Sequence, residues 1–412
     1  MYTFFFWIII AIIVIDFLFE KYLDFLNTTT MSDVIPEEVK GIYDAEKYSK
    51  QQAYQRENNR FGLLSDSFSF VVTLGMFFFF GFALVNSWAW NVSTNAILVA
   101  LVFFGILMLG SDILQIPFSV YDTFVIEEKY GFNKTTPKTF VLDKIKGWII
   151  AALIGGGLMA LIIYIYQKTG AFFWLYAWLV VTAFSIFMTL FYSNIIVPLF
   201  NKQTPLPAGE LRDAIETFTE KVGFKLKNIF VINGSKRSTK ANAYFTGLGV
   251  KKRIVLYDTL IDDFSTEEVV AVLAHEIGHY KKKHIVQGLF ISIFQTGIVL
   301  FIFSLLIDSP QLSEALGVEK PNFHIGMVAF GILYSPVSFI LGILMNMLSR
   351  KNEYQADTFA AENFKPQALA SALKKLAVKN LSNLTPHKTY VFFHYSHPTL
   401  LQRLKHLKSF NA

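Results

Sequence analysis

No cysteine occurs anywhere in the 412 residues. Its absence excludes a thiol nucleophile, cysteine-ligated zinc, an iron–sulfur cluster and a palmitoyl anchor. It excludes a disulfide-stapled scaffold as well. Charge is also scarce, at 17% of residues, where a soluble chain carries about a quarter. Internal repeats, low-complexity tracts and Gly/Ser linkers are missing too. Histidine is sparse, and all eight lie after residue 274. What fills the chain is apolar: 53% of residues are hydrophobic, with 43 Phe. That balance excludes a disordered chain and points to a protein whose solvent is largely lipid.

A membrane-crossing helix needs about 20 apolar residues. Seven stretches qualify, near 3–20, 68–90, 96–113, 148–166, 171–195, 285–307 and 324–348. The first lacks a basic leading segment and a small-residue cleavage site, and is expected to be retained as a helix. Lys and Arg fix the direction. Six fall in 21–60, five in 114–146, fourteen in 200–283 and ten in 349–412. Only Lys168 and Lys320 lie on the other side. The positive-inside rule then places the N-terminus outside and the C-terminus inside. It also accounts for the net charge of +6 without a nucleic-acid partner, for which no basic face interleaved with aromatics exists.

The expected fold is an all-α multi-pass membrane protein of seven transmembrane helices, with a small inner-face α+β zincin-like metalloprotease domain. Its parts run 1–199 (five spans, inner loops 21–67 and 114–147), 200–283 (protease domain), 284–348 (spans six and seven) and 349–412 (inner tail). Within 200–283, apolar Leu211, Ile215, Phe218 and Val222 recur at helical spacing. Ile229–Ile232, Ala243–Thr246 and Ile254–Tyr257 read as strands set off by turn signals at Asn233-Gly234, Gly247 and Gly249. Ser265 and Glu268 form the pattern of a capping box at the start of the next helix.

That helix carries His275-Glu276-Ile-Gly-His279. Residues four apart share a helix face, so both imidazoles can reach one cation. Zn²⁺ suits two neutral imidazoles and a carboxylate with a fourth position for water. Glu276 is then placed to take the proton of that water. The best third ligand is Glu353, in Asn352-Glu-Tyr-Gln-Ala-Asp357. Glu353 and Asp357 are again four apart on a predicted helix just beyond the last span. One carboxylate can bind metal while the other accepts the N–H of a ligand imidazole.

Other candidates are more open. His397, in Ser396-His-Pro398 before a short amphipathic helix with Pro398 in its first turn, can donate to an oxyanion. It can equally be a histidine in a polar loop. Asn242 opens a segment whose edge strand could hold an extended peptide, or it simply forms a turn. His284, five residues past His279, is expected off the ligand face as an interfacial residue. Asp16 and Asp112, near span ends, read as interfacial too.

These motifs resemble the type 1 CAAX prenyl proteases, integral-membrane zinc metalloendopeptidases. The resemblance rests on seven spans, on Ile116-Pro-Phe-Ser-Val-Tyr-Asp-Thr-Phe-Val-Ile-Glu-Glu-Lys-Tyr-Gly-Phe-Asn133, and on Gly234-Ser-Lys-Arg-Ser238 before Asn242-Ala-Tyr-Phe245. His275-Glu276-x-x-His279, Glu353-Tyr-Gln-Ala-Asp357 and His397-Pro-Thr-Leu-Leu-Gln-Arg403 complete it. The resemblance implies one zinc held by His275, His279 and Glu353, with Glu276 as general base and Asp357 behind a ligand. It further implies that His397 and Asn242 contact the reacting peptide, that Arg403 binds a substrate carboxylate, and that the spans enclose a chamber. The implied substrate is a peptide or protein ending in a prenylated Cys-aliphatic-aliphatic-X sequence. Three alternatives stay open: a quality-control protease acting on unprenylated membrane proteins, a site-2 type intramembrane protease, and a seven-span transporter or receptor. The site-2 type fits least, because there the metal motif lies within a span, whereas here Lys281-Lys-Lys283 follows it. Bacterial inner membrane and endoplasmic reticulum are both compatible locations.

Overall fold

The computed structural model describes residues 2–224, 229–247 and 253–410, so the turn signal at Gly249 lies outside the described residues. The N-terminal half is helical: α1 (Phe4–Thr28), α2 (Ala45–Phe78), α3 (Gly81–Val92), α4 (Ala96–Tyr121), α5 (Pro137–Ile150), α6 (Gly156–Thr169), α7 (Phe173–Ile195) and α8 (Val197–Phe200). Asn95 caps α4 and Thr136 caps α5, each accepting a backbone N–H of the first turn.

Among the described residues, five helical runs are long and apolar enough to cross a membrane: Ala45–Phe78, Ala96–Glu127, Pro137–Phe200, His284–Leu306 and Phe323–Asn363. The third is 64 residues long and turns at Gly170, whose φ is +50°. Only the conformational freedom of glycine makes that turn inexpensive. The stretch 68–90, expected as one span, is two helices. The chain breaks at Phe79-Phe80, with Phe80 left-handed at φ +54°. Uniformly apolar sequence gives no sign of such a break.

The membrane helices are thinly packed. Between 6% and 17% of each apolar window is buried. In the last span burial stops at Phe330 and resumes only at Glu353, and in α4 it stops at Phe103. One end of the helices is closed by a cluster that includes Phe6, Ile9, Phe77, Phe103, Leu312 and Ile325. Lipid tails are as apolar as these side chains, so van der Waals packing rather than removal from water holds the cluster together.

A small domain follows on the chain. Strands β1 (Gln203–Pro205), β2 (Ile229–Ile232), β3 (Ala243–Thr246) and β4 (Arg253–Tyr257) form one sheet in the order β1-β2-β4-β3. β2 and β4 run parallel, whereas β3 lies antiparallel to β4, pairing Ala243 with Leu256 and Thr246 with Arg253. β3 is therefore an edge strand. The three expected strands form within a residue of their predicted bounds; β1, only three residues long, carries too little pattern to be read.

Helices α9 (Glu210–Lys221), α10 (Asp258–Asp263) and α11 (Thr266–Lys281) pack on this sheet. The core joins Ile215, Phe218, Ile254, Leu256, Leu273 and Ile277. The chain returns to the membrane through α12 (His284–Leu306), α13 (Pro310–Ala315) and the 41-residue α14 (Phe323–Asn363). It ends in α15 (Pro366–Lys379), α16 (Lys388–His394) and α17 (Leu400–Lys408). Thr399, not Pro398, caps α17, so Pro398 stands before the helix rather than in its first turn.

Candidate active site

Helix α11 begins with both halves of its capping box made, Ser265 accepting from Glu268 N–H and Glu268 from Ser265 N–H. It then crosses α14 closely. A Cβ on Gly278 would meet Ala356 Cα at 3.0 Å and its carbonyl oxygen at 3.1 Å. Glycine there lets the two backbones touch, and the touching point lies between His275 and His279 on one helix and Glu353 and Asp357 on the other.

The last span and the segment carrying Glu353 are one unbroken helix rather than a span followed by a separate helix. His279 Nε2 lies 3.2 Å from Glu353 Oε1, His275 Nε2 3.4 Å from Glu353 Oε2, and the two Nε2 atoms 3.1 Å apart. All three residues offer ligand atoms within 4.8 Å of one another. The arrangement fits a cation on its own terms. Glu353 is buried and its Oε2 has no hydrogen-bond partner among the described residues. Two imidazole lone pairs and a carboxylate converging in a desolvated space repel unless a positive charge sits between them.

Behind the ligands run two chains of hydrogen bonds. If both Nε2 atoms face a cation, both Nδ1 atoms carry protons. His275 Nδ1 then donates to Asp357 Oδ1 at 2.9 Å. Asp357, fully buried, accepts Arg403 Nε at 2.9 Å and Nη2 at 2.6 Å. His279 Nδ1 donates to His284 Nδ1 at 2.9 Å, and His284 Nε2 donates in turn to Gln355 Oε1 at 2.9 Å. Without a cation on Nε2, burial and the nearby Arg403 guanidinium press His275 toward neutrality, yet its bonds to Asp357 and Glu353 outweigh them and raise its pKa to about 9; a bound cation would displace that Nε2 proton.

His284 opens the helix of span six and is not among the three clustered residues, in keeping with its expected place off the ligand face. It is not detached from them, however. α11 ends at Lys281 and Lys283 turns left-handed at φ +61°, so His284 folds back onto His279.

His397 reaches the same centre, Nε2 3.2 Å from Glu353 Oε1. Its side chain is 62% exposed, and partial desolvation still holds the imidazole below the ordinary histidine range. Arg350, one turn before Glu353 on α14, fixes the approach to His397 by donating to the carbonyls of Val391 and Tyr395. Arg403 directs two of its nitrogens to Asp357, and Nη1 lies 3.6 Å from Glu353 Oε2. Asn242 precedes β3, with its Oδ1 accepting the Ala243 N–H at 2.8 Å. Glu276 is half-buried and shares a recess with His279. Asp112, expected near a span end, lies midway along the Ala96–Glu127 run, where it accepts Lys144 and Trp148.

Comparison with known proteins matches two family models. Residues 24–202 match the CAAX prenyl protease N-terminal model, described as five membrane helices, and residues 205–411 match peptidase family M48. The chain is 37% identical to the CAAX prenyl protease 1 homolog of Oryza sativa subsp. japonica, covering 97% of this chain and 96% of that one. It is 36% identical to CAAX prenyl protease 1 of Saccharomyces cerevisiae over 94% and 92% of the two chains. For the human CAAX prenyl protease 1 homolog the identity is 33%, over 95% and 92%. The crystal structure of S. mikatae Ste24p superposes with a TM-score of 0.93 at 35% identity, covering 98% of this chain and 99% of that one.

Proposed function

We propose, from the premise that the chain belongs to the type 1 CAAX prenyl protease family of M48 peptidases and is a multi-pass membrane metalloprotease, that it is a zinc endopeptidase cutting near the C-terminus of prenylated proteins. Membership in a peptidase family removes the transporter and receptor alternatives. The observation that carries the reading is the convergence of His275, His279 and Glu353 where Glu276 is also present.

One Zn²⁺ per chain, held by these three residues, would supply Lewis acidity that polarises the scissile carbonyl and acidifies water. Glu276 takes the proton of the attacking water and delivers it to the leaving nitrogen. Asp357 and Arg403 lock His275, and His284 with Gln355 locks His279. His397 donates to the developing oxyanion. Edge strand β3 presents free backbone groups to an extended substrate, with Asn242 at its head. Arg403 Nη1 is the group left to meet a substrate carboxylate.

Seven passes, N-terminus outside, best suit the distribution of basic residues. The 64-residue run divides at Gly170 into two passes, and the 25-residue α1 adds another over the expected stretch 3–20. The protease domain is then zincin-like and lies on the inner, cytoplasmic side, in a bacterial inner membrane or the endoplasmic reticulum. The unburied middle of the spans favours an enclosed chamber that could admit a lipidated chain terminus. Purified protein tested on farnesylated and unmodified peptides, with a chelator control, checks this. Faster cleavage of farnesylated peptides is expected, and equal cleavage of both would favour the quality-control alternative. Glu276→Gln should retain zinc and lose ~10²–10⁴-fold in rate; undiminished chelator-sensitive activity would remove Glu276 from its role.

A further inference from the structure

A cavity of about 630 Å³ lies where the first turns of α2 and the end of α10 meet α15, and none of His275, Glu276, His279 and Glu353 lines it. Among the described residues, five lysines do: Lys47 and Lys50 from α2, and Lys374, Lys375 and Lys379 from α15. Asp263 is the one acidic residue in the lining. Three of the lysines are already committed. Lys47 pairs with Asp44, Lys375 with Glu268 and Lys379 with Asp263. Lys50 and Lys374 are exposed and have no ion-pair or hydrogen-bond partner among the described residues.

These two lysines come from different halves of the chain. Lys50 stands in the segment that matches the five-helix N-terminal model, and Lys374 in the segment that matches peptidase family M48. The halves are joined beside the cavity, where Tyr43 donates to the Ala377 carbonyl at 2.8 Å and Gln55 to that of Leu381 at 3.0 Å. Tyr130, Phe132 and Phe264 line it too and are all buried, so this part of the wall is fixed by packing. Gly41 and Gly131 leave space open, since a Cβ built on either meets nothing within 4 Å. Two unpaired ammonium groups in one concavity repel across a seam that packing holds shut. An anion between them turns that repulsion into attraction.

Charge, size and place define the ligand. The volume falls in the small-molecule range of ~300–1,000 Å³. Lysine binds phosphate as a point charge, and adjacent phosphates bring several negative charges within one cavity. Lys50 precedes residue 68, the start of the apolar stretch, on the same unbroken helix, ~27 Å along its axis at the α-helical rise. A headgroup layer is only about 5–8 Å deep, so the cavity stands beyond reach of a membrane lipid. We propose that it binds a soluble small molecule bearing adjacent phosphates, a nucleoside triphosphate or an inorganic polyphosphate, and that Lys50 and Lys374 grip this ligand from the two halves of the chain.

The test titrates full-length, zinc-loaded protein with inorganic tripolyphosphate and, separately, with ATP at constant ionic strength. Calorimetry gives the affinity, and both probes should also raise the thermal midpoint, as a ligand of the folded state does. Tighter binding of ATP assigns the site to a nucleotide, and equal binding assigns recognition to the phosphates alone. Lys50→Ala and Lys374→Ala should each weaken binding by ~10-fold or more, the worth of one hydrogen bond to a charged group. Zinc content and the ligand-free midpoint should stay at the wild-type level in both, which separates a lost contact from a damaged fold. Lys375 is left intact because it also holds Glu268 at the start of α11. Polyphosphate can meet the zinc itself, but such binding would survive both substitutions, so undiminished affinity in the double variant overturns the proposal. It is overturned equally if neither probe binds at millimolar concentration, or if only one of the two lysines matters. An equal loss in Lys320→Ala, outside the cavity, would reduce the effect to general charge. Binding of phosphoinositide vesicles without binding of either soluble probe would replace the soluble ligand by a membrane.

Discussion

His279, a proposed zinc ligand, is held by residues that would not reach the metal. Its Nδ1 proton goes to His284, and the proton on His284 goes to Gln355. Both partners are neutral, whereas His275 leans on a carboxylate already paired with Arg403. The two imidazoles are thus unequal donors, one made more basic by a charge behind it and one only oriented. His284→Ala removes the acceptor and frees His279 to rotate. Zinc affinity should fall ~10–100-fold, the usual cost of losing such a partner, measured by competition with a chromogenic chelator. Gln355→Leu should weaken binding in the same direction and by less, because His284 would keep its bond to His279. Unchanged affinity in both variants would mean that His279 is held by packing alone.

At the scale of elements, the site is a crossing of α11 on α14. Gly278→Ala places a methyl 3.0 Å from Ala356 Cα, and backbone cannot yield as a flexible side chain can. Overpacking of that kind costs ~1–3 kcal/mol. Because the crossing also sets the distance between His279 and Glu353, a lower melting temperature should come with weaker zinc binding. A variant that melts lower yet binds zinc normally would uncouple crossing from site. The other end of α11 is tied by Glu268, which accepts Lys375 at 2.7 Å and Ser371 at 2.6 Å from α15. Burial pushes its carboxyl up, but these bonds and the Ser265 N–H outweigh it and hold the pKa below the usual glutamate range. A depressed folded-state pKa stabilises above the unfolded value and is lost as pH falls through the folded one. Glu268→Gln should therefore cost ~1–3 kcal/mol at neutral pH, with a gap in thermal midpoint that closes under acid. A gap independent of pH would show that charge contributes nothing there.

What the sequence disclosed divides along the same elements. β2, β3, β4 and the Ser265–Glu268 capping box are local patterns, and local chemistry decides them. The pairing of Glu353 with His279 was legible because metal chemistry demands a third ligand near an H-E-x-x-H helix. The contact of His284 with His279 was not, since it depends on a left-handed turn at Lys283 that spacing alone does not show. The break at Phe79-Phe80 was hidden for the opposite reason, an apolar run with no punctuation. Gly278 gave no sign of its crossing, because close approach depends on a partner 78 positions away in sequence.

For the whole molecule, direction across the membrane is the property that the basic residues assign and the helices leave open. The absence of cysteine makes it directly measurable, since any introduced thiol is the only one in the chain. Tyr2→Cys, Lys168→Cys and Lys320→Cys place thiols at exposed positions assigned to the outer side, and Lys50→Cys and Lys374→Cys at exposed positions assigned to the inner side. A membrane-impermeant maleimide added to intact cells or sealed vesicles of known orientation should label the first three from one side and the other two from the opposite side. Opposite labelling of Tyr2→Cys and Lys50→Cys carries separate weight, because α1 bears Asp16, Glu20 and Lys21 and its crossing is the least evident from hydropathy. Should those two label from the same side, α1 lies on the membrane rather than across it. The number of passes then becomes even, and the N-terminus joins the protease domain on the inner face.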